Sequence, residues 1–271
     1  MALKLMYITN RPEIAQIAES AGVDRIFVDM EYIGKSDRQG GMDTVQSHHT
    51  VEDVKKVKSA VMNAKVMVRC NPIHPNSKSE IDAIIDAGAD IIMLPYFKTA
   101  GEVHTFLDCV DGRVTTLPLV ETPEAVSCID EILELQGIDE MFVGLNDLSL
   151  GYGKKFMFDL LCDGTIERLC FKFREKGIPY GFGGIAALGK GMLPSEYIIK
   201  EHYRLGSTCA ILSRSFCNVN NINHMGVISS TFVNGVREIR ELEKECDYHM
   251  SYFAESRKEL KAIVESVIAK I

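Results

Sequence analysis

Eight short runs of apolar and β-branched residues, each followed by a longer amphipathic segment, recur along the 271 residues. The runs are Lys4 to Thr9, Arg25 to Asp29, Lys65 to Cys70, Asp90 to Pro95, Val114 to Glu121, Met141 to Leu145, Tyr180 to Ile185 and Thr208 to Ser213. Between them apolar residues return at helical spacing, as at Ile14, Ile17, Ala18 and Ala21, or at Ile81, Ile84 and Ile85. Gly22, Gly88, Gly177 and Gly206 stand where those helices should stop, because glycine tolerates the left-handed turn that ends a helix. Thr122-Pro-Glu offers a hydroxyl cap and a proline for the first helical position directly after the fifth run. Eight strand-then-helix units in a chain of this length predict an α/β fold, the closed parallel (β/α)8 TIM barrel. An open doubly wound sheet would need fewer strands and a glycine-rich phosphate loop after the first, where this chain has Thr9-Asn-Arg-Pro.

No Pro-, Gly- or Ser-rich linker divides the sequence, so one barrel domain is expected over residues 1–271. Apolar positions from Val227 to Leu242, and then at Leu260, Ile263, Val264 and Val267, predict two helices where a barrel needs one. The residues from about 243 to 271 are therefore expected to form a helical extension that caps the barrel or docks on another subunit. The connection from Tyr32 to Thr50 is long for a βα loop.

Composition narrows the partners. The chain carries 30 Lys+Arg against 38 Asp+Glu, a formal charge of −8, with no basic run to neutralise phosphates. That argues against nucleic acid or an anionic membrane and for a small-molecule partner. The eight cysteines include no Cys-x-x-Cys and read as reduced core residues. With neither a signal-like start nor a stretch of eighteen apolar residues, a cytoplasmic location is expected.

In such a barrel, chemistry sits at the C-terminal ends of the strands. The polar residues there are Asp29, Glu31, Arg69, Glu121, Asp147 and Arg214. Glu121 and Asp147 follow consecutive strands, and two neighbouring carboxylates repel unless a proton or cation lies between them. A hard divalent ion, Mg2+ or Mn2+, would leave positions open for water and substrate. Alternatively, both acids favour the N-termini of the helices that follow. Arg69 could clamp a carboxylate or phosphate, or tie strand ends together through Asp29 or Asp86. Gly181-Phe-Gly-Gly-Ile after strand seven and Ser213-Arg214-Ser215 after strand eight occupy the place where barrels bind phosphate, though a tight turn plus an exposed arginine reads the same way.

The motifs Phe27-Val-Asp-Met-Glu-Tyr, Val66-Met-Val-Arg, Ile84-Ile-Asp-Ala-Gly-Ala-Asp-Ile-Ile-Met-Leu-Pro, Leu119-Val-Glu-Thr-Pro-Glu-Ala and Phe142-Val-Gly-Leu-Asn-Asp-Leu-Ser occur in this order. Together, over about residues 6–217, they resemble the HpcH/HpaI aldolase/citrate lyase family of metal-dependent pyruvate aldolases. The resemblance implies that Glu121 and Asp147 bind a divalent metal and that Arg69 binds the keto-acid end of a substrate. It implies that amides from Gly144 through Asn146 to Asp147 hold the pyruvyl carboxylate, and that the protein is a homo-oligomer. The expected reaction is reversible aldol cleavage of a 4-hydroxy-2-oxo acid, with a CoA-thioester lyase or a non-catalytic binding barrel as the alternatives.

One position departs from the family pattern. Where these aldolases carry Asp-x-Glu-His, this chain has Asp29-Met-Glu31-Tyr32. A phenol with an ordinary pKa of about 10 is a poor base at neutral pH. A metal-bound hydroxide, a shifted Tyr32, or His48 or His49 from the long loop are the candidates for the missing acid/base.

Overall fold

The computed structural model describes residues 2–34, 49–222, 224–246 and 250–271. Its strands are β1 (Lys4–Ile8), β2 (Arg25–Asp29), β3 (Lys65–Arg69), β4 (Ile91–Leu94), β5 (Thr115–Val120), β6 (Met141–Val143), β7 (Tyr180–Ile185) and β8 (Cys209–Leu212). They pair in parallel and in sequence order, and β8 closes on β1. The intervening helices are α1 (Pro12–Ser20), α2 (Val51–Ala60), α3 (Ser77–Asp86), α4 (Ala100–Val110), α5 (Pro123–Ser127), α6 (Ile129–Ile132), α7 (Leu145–Gly151), α8 (Asp159–Cys162), α9 (Thr165–Glu175) and α10 (Ser195–Leu205). After β8 come α11 (Met225–Glu245) and α12 (Met250–Ile268). The chain is thus a (β/α)8 barrel with an additional C-terminal helix.

Alternation along each strand builds the interior. Met6, Phe27, Met67, Ile91, Met93, Leu117, Leu119, Phe142 and Cys209 pack on one another as one buried cluster. The residues between them, such as Ile26, Val28, Val66, Val68 and Ile92, belong to a second buried cluster shared with the helices. In register, Phe27 lies beside Met67 and Asp29 beside Arg69. Asp29 and Arg69 therefore share the face of Phe27 and Met67, one step nearer the C-terminal end. At the opposite end, the buried Arg25 guanidinium donates to both Glu140 oxygens, at 2.8 and 2.6 Å. Burial acts to lower the Arg25 pKa and to raise that of Glu140, but the pair's mutual attraction wins on both sides: Arg25 is raised and Glu140 lowered.

The glycines read above as a turn after strand seven lie inside β7. A Cβ on Gly181 would come within 2.3 Å of the Cys209 carbonyl and 2.7 Å of the Phe142 ring, so only glycine fits against β8 there. The pairing of β7 with β8 then shifts between Gly181 and Gly184, a bulge in the ladder. On the outer side of β7, Phe182 stacks on the buried His202 of α10 at 3.9 Å, and His202 Nδ1 meets Ser207 Oγ at 2.8 Å. Burial drives the pKa of His202 down to about 3.

The C-terminal helix α12 packs against α10 of its own chain. Tyr197 Oη donates to Glu259 Oε2 at 3.0 Å, and Arg257 pairs with Glu167 at 2.7 Å. No described helix is long and apolar enough to cross a membrane.

Candidate active site

At the C-terminal end of the strands the barrel opens into a cavity of about 310 Å3. Phe27, Met93, Leu119, Phe142 and Ile211 give it an apolar lining, and its polar side chains are Arg69, Glu121, Asn146 and Asp147. Gly144, Gly183, Gly184, Leu145 and Met157 complete the wall.

Arg69 ends β3 and is gripped from β2. Its Nε and Nη2 donate to Asp29 Oδ1 and Oδ2 at 2.8 and 2.9 Å, and Nη1 lies 3.3 Å from Glu31 Oε2. Burial acts against the charge, but Asp29, Glu31 and Glu121 outweigh it and raise the Arg69 pKa well above its ordinary value. The strand-tie and the cavity-facing readings of Arg69 are both realised: it bonds Asp29 and also lines the cavity. Asp29 takes two of the five guanidinium N–H groups.

Glu121 follows β5 and is 4% exposed. Its Oε1 accepts from the Tyr96 amide at 3.0 Å. Tyr96 holds a left-handed φ of 48°, rare for a side chain of that size, and this turns its N–H toward the acid. On the other side a Cβ at Gly144 would lie 2.7 Å from Glu121 Oε2 and 2.9 Å from Glu121 Cβ, so glycine lets β6 come this close. Asp147 sits in the first turn of α7, where Asn146 Nδ2 donates to its Oδ1 at 3.1 Å. Glu121 and Asp147 border a second recess as well, of about 220 Å3, lined also by Tyr96, Thr122, Pro123, Leu150 and Gly151.

Other candidates fall elsewhere. Tyr32 is 63% exposed and does not line the cavity; its amide and that of Ile33 both donate to Asn71 Oδ1 at 3.0 Å. Arg214, expected from the sequence as a substrate-binding residue, lies in an exposed turn two residues past the end of β8 at Leu212 and is not among the residues that line the cavity. His49 is half-buried and accepts from the Asp29 amide through Nδ1 at 3.0 Å. His48 lies outside the described residues. Asn71, Tyr96 and Met157 were not anticipated. A polar side chain two residues past Arg69 was the available signal for Asn71, whereas nothing in the sequence marks a tyrosine for positive φ.

Charge limits what the site can bind. Asp29, Glu31 and Glu121 act on the Arg69 guanidinium, and Asp147 lines the same cavity. No group of three or more His, Cys, Asp or Glu able to hold a metal occurs among the described residues. Two buried carboxylates on shared cavity walls supply hard oxygen donors, which suit an oxygen-seeking divalent ion that takes its remaining ligands from water and substrate.

The model of the HpcH/HpaI aldolase/citrate lyase family matches residues 4–157. The chain is 25% identical over 205 residues to 2-keto-3-deoxy-L-rhamnonate aldolase of Shigella dysenteriae serotype 1, covering 64% of this chain and 71% of that protein. It is 31% identical over 111 residues to hydroxypyruvate/pyruvate aldolase of Rhizorhabdus wittichii, covering 31% of this chain and 44% of that one. Among solved structures, an HpcH/HpaI aldolase from Desulfitobacterium hafniense DCB-2 superposes with a TM-score of 0.60 at 18% identity, over 89% of this chain and 93% of the other, a likeness of fold. With the five motifs set around one cavity at the barrel mouth and more than half its length matched by the family model, the chain is an enzyme of the HpcH/HpaI aldolase/citrate lyase family.

Proposed function

We propose that this enzyme reversibly cleaves a 4-hydroxy-2-oxo acid, of the sugar-derived 2-keto-3-deoxy kind, to pyruvate and an aldehyde. The observation that carries the reading is the cavity that Arg69, Glu121 and Asp147 line together. In this reading Glu121 and Asp147 hold Mg2+ or Mn2+, which when bound supplies Lewis-acid stabilisation of an enolate. Arg69 binds the keto-acid end as a second positive centre, kept in place by Asp29 and Glu31. The amides of the first turn of α7 lack intrahelical acceptors and receive the carboxylate, a role left to Asn146 and Asp147, because the Gly144 amide, expected from the sequence to share it, already donates to the Val120 carbonyl at 3.0 Å as β6 pairs with β5. The C3–C4 bond breaks as the 4-hydroxyl gives up its proton; the electron pair passes to the pyruvyl fragment, and a proton returned to C3 completes pyruvate. The apolar lining from Phe27, Leu119, Phe142 and Ile211 excludes water from the methylene carbon.

The test is exchange of pyruvate methyl protons into deuterated water with Mg2+ or Mn2+, together with pyruvate release from a 2-keto-3-deoxy acid without CoA. Both are expected, and both should be lost with Arg69→Ala. Exchange that proceeds equally in excess chelator, or release that requires CoA, would overturn the proposal.

A further inference from the structure

We infer that His49 is a positioning residue for the Asp29–Arg69 clamp, fixing the end of β2 through its neutral imidazole; this rests on the reading of the cavity given above. Thr9 N–H donates to the Phe27 carbonyl at 3.0 Å, the last β1–β2 rung of this kind. In a parallel ladder the next rung would run from the Asp29 amide back to β1. That amide instead donates to His49 Nδ1. The peptide so held carries the carboxylate that grips Arg69 by two bonds, so moving it moves the guanidinium. The other end of the β2–α2 connection is fastened beside the same clamp, where the Tyr32 and Ile33 amides meet Asn71, two residues beyond Arg69.

Nδ1 accepts a hydrogen bond only when it carries no proton, which places the neutral ring's proton on Nε2. Protonation would set one N–H against another and break the rung. Among the described groups, Asp53 in the first turn of α2 interacts with His49 electrostatically, and the peptide bonded to the ring carries Asp29, whose carboxylate is paired with Arg69.

The experiment measures pyruvate affinity by calorimetry in Mg2+, at about pH 7.5 and about pH 5.5, either side of ordinary imidazole titration. It compares wild type, His49→Asn, whose side-chain oxygen accepts without titrating, and His49→Ala. Wild type should lose about tenfold in affinity at the lower pH, His49→Asn should show no such fall, and His49→Ala should bind weakly at both. An equal fall in wild type and His49→Asn, or wild-type affinity in His49→Ala, overturns the inference while leaving the proposed reaction intact. Wild type that binds no pyruvate at either pH overturns both. Without substrate, amide exchange at Asp29, corrected for its intrinsic rate, should be slow at the higher pH and fast at the lower; equal protection also overturns it.

Discussion

Gly144→Ala isolates the closest approach in the candidate site. Gly144 has φ −83° and ψ 96°, values any residue adopts, so alanine brings no backbone strain and the whole effect is steric. The new methyl would meet Glu121 Oε2 at 2.7 Å, Glu121 Cβ at 2.9 Å and Leu119 Cδ1 at 3.3 Å. Rotating the carboxylate relieves the first contact. The second persists, because Cβ moves only with the Glu121 backbone just after β5. Overpacking of this kind costs about 1–3 kcal/mol, which for a chain of this size lowers Tm by roughly 2–8 °C. On the proposed reading the larger effect falls on the cation, since a displaced Glu121 would no longer share an ion with Asp147. Affinity for Mn2+, measured by calorimetry, should fall at least about tenfold, or about 1.4 kcal/mol. Gly226→Ala is the control, because a Cβ there meets nothing within 4 Å. Wild-type Mn2+ affinity in a folded Gly144→Ala protein would refute the assignment of Glu121 as a ligand, even if the melt is lowered.

Two further predictions concern pH. Arg25 holds the Glu140 carboxyl below the usual range despite burial, so as pH falls the unfolded chain takes up this proton first. Stability is expected to drop below about pH 4.5, and Glu140→Gln, which leaves the Arg25 charge buried, should cost about 3 kcal/mol at neutral pH and flatten that acid limb in denaturant titrations. His202 stays neutral in the fold down to about pH 3 but titrates normally when unfolded. Stability should therefore fall as pH drops from about 6.5, by up to about 1.4 kcal/mol per unit. Denaturant midpoints of His202→Gln should lack this slope, and a slope unchanged from wild type would contradict it.

The barrel could be read from sequence because its strands and helices differ in period, and the period-2 rule carried directly to side-chain direction. In the structure Phe27 and Met67 face the barrel interior, and Asp29 and Arg69, two residues on in each strand, follow them beside each other in register. Lys65 to Cys70 ran one residue past its strand, and Val114 to Glu121 ran one residue over at each end. Met141 to Leu145 ran two residues too long, since α7 begins at Leu145. What the sequence withheld depends on neighbours distant in the chain. Gly181 is required by the Cys209 carbonyl and the Phe142 ring, so a glycine run that resembled a turn is a packed strand. Asn71 acts on amides almost forty residues earlier in the chain, at Tyr32 and Ile33, and His49 acts on the Asp29 backbone. No local pattern encodes those meetings.

The left-handed peptide at Tyr96 hands control of the Glu121 carboxylate to a neighbouring strand. Since the hydrogen bond to Glu121 comes from main chain, replacing the phenol leaves the donor in place, and side chains lining the adjoining recess can change without disturbing the acid. Insertions or deletions just after β4 have no such freedom, because they would re-aim the donor itself.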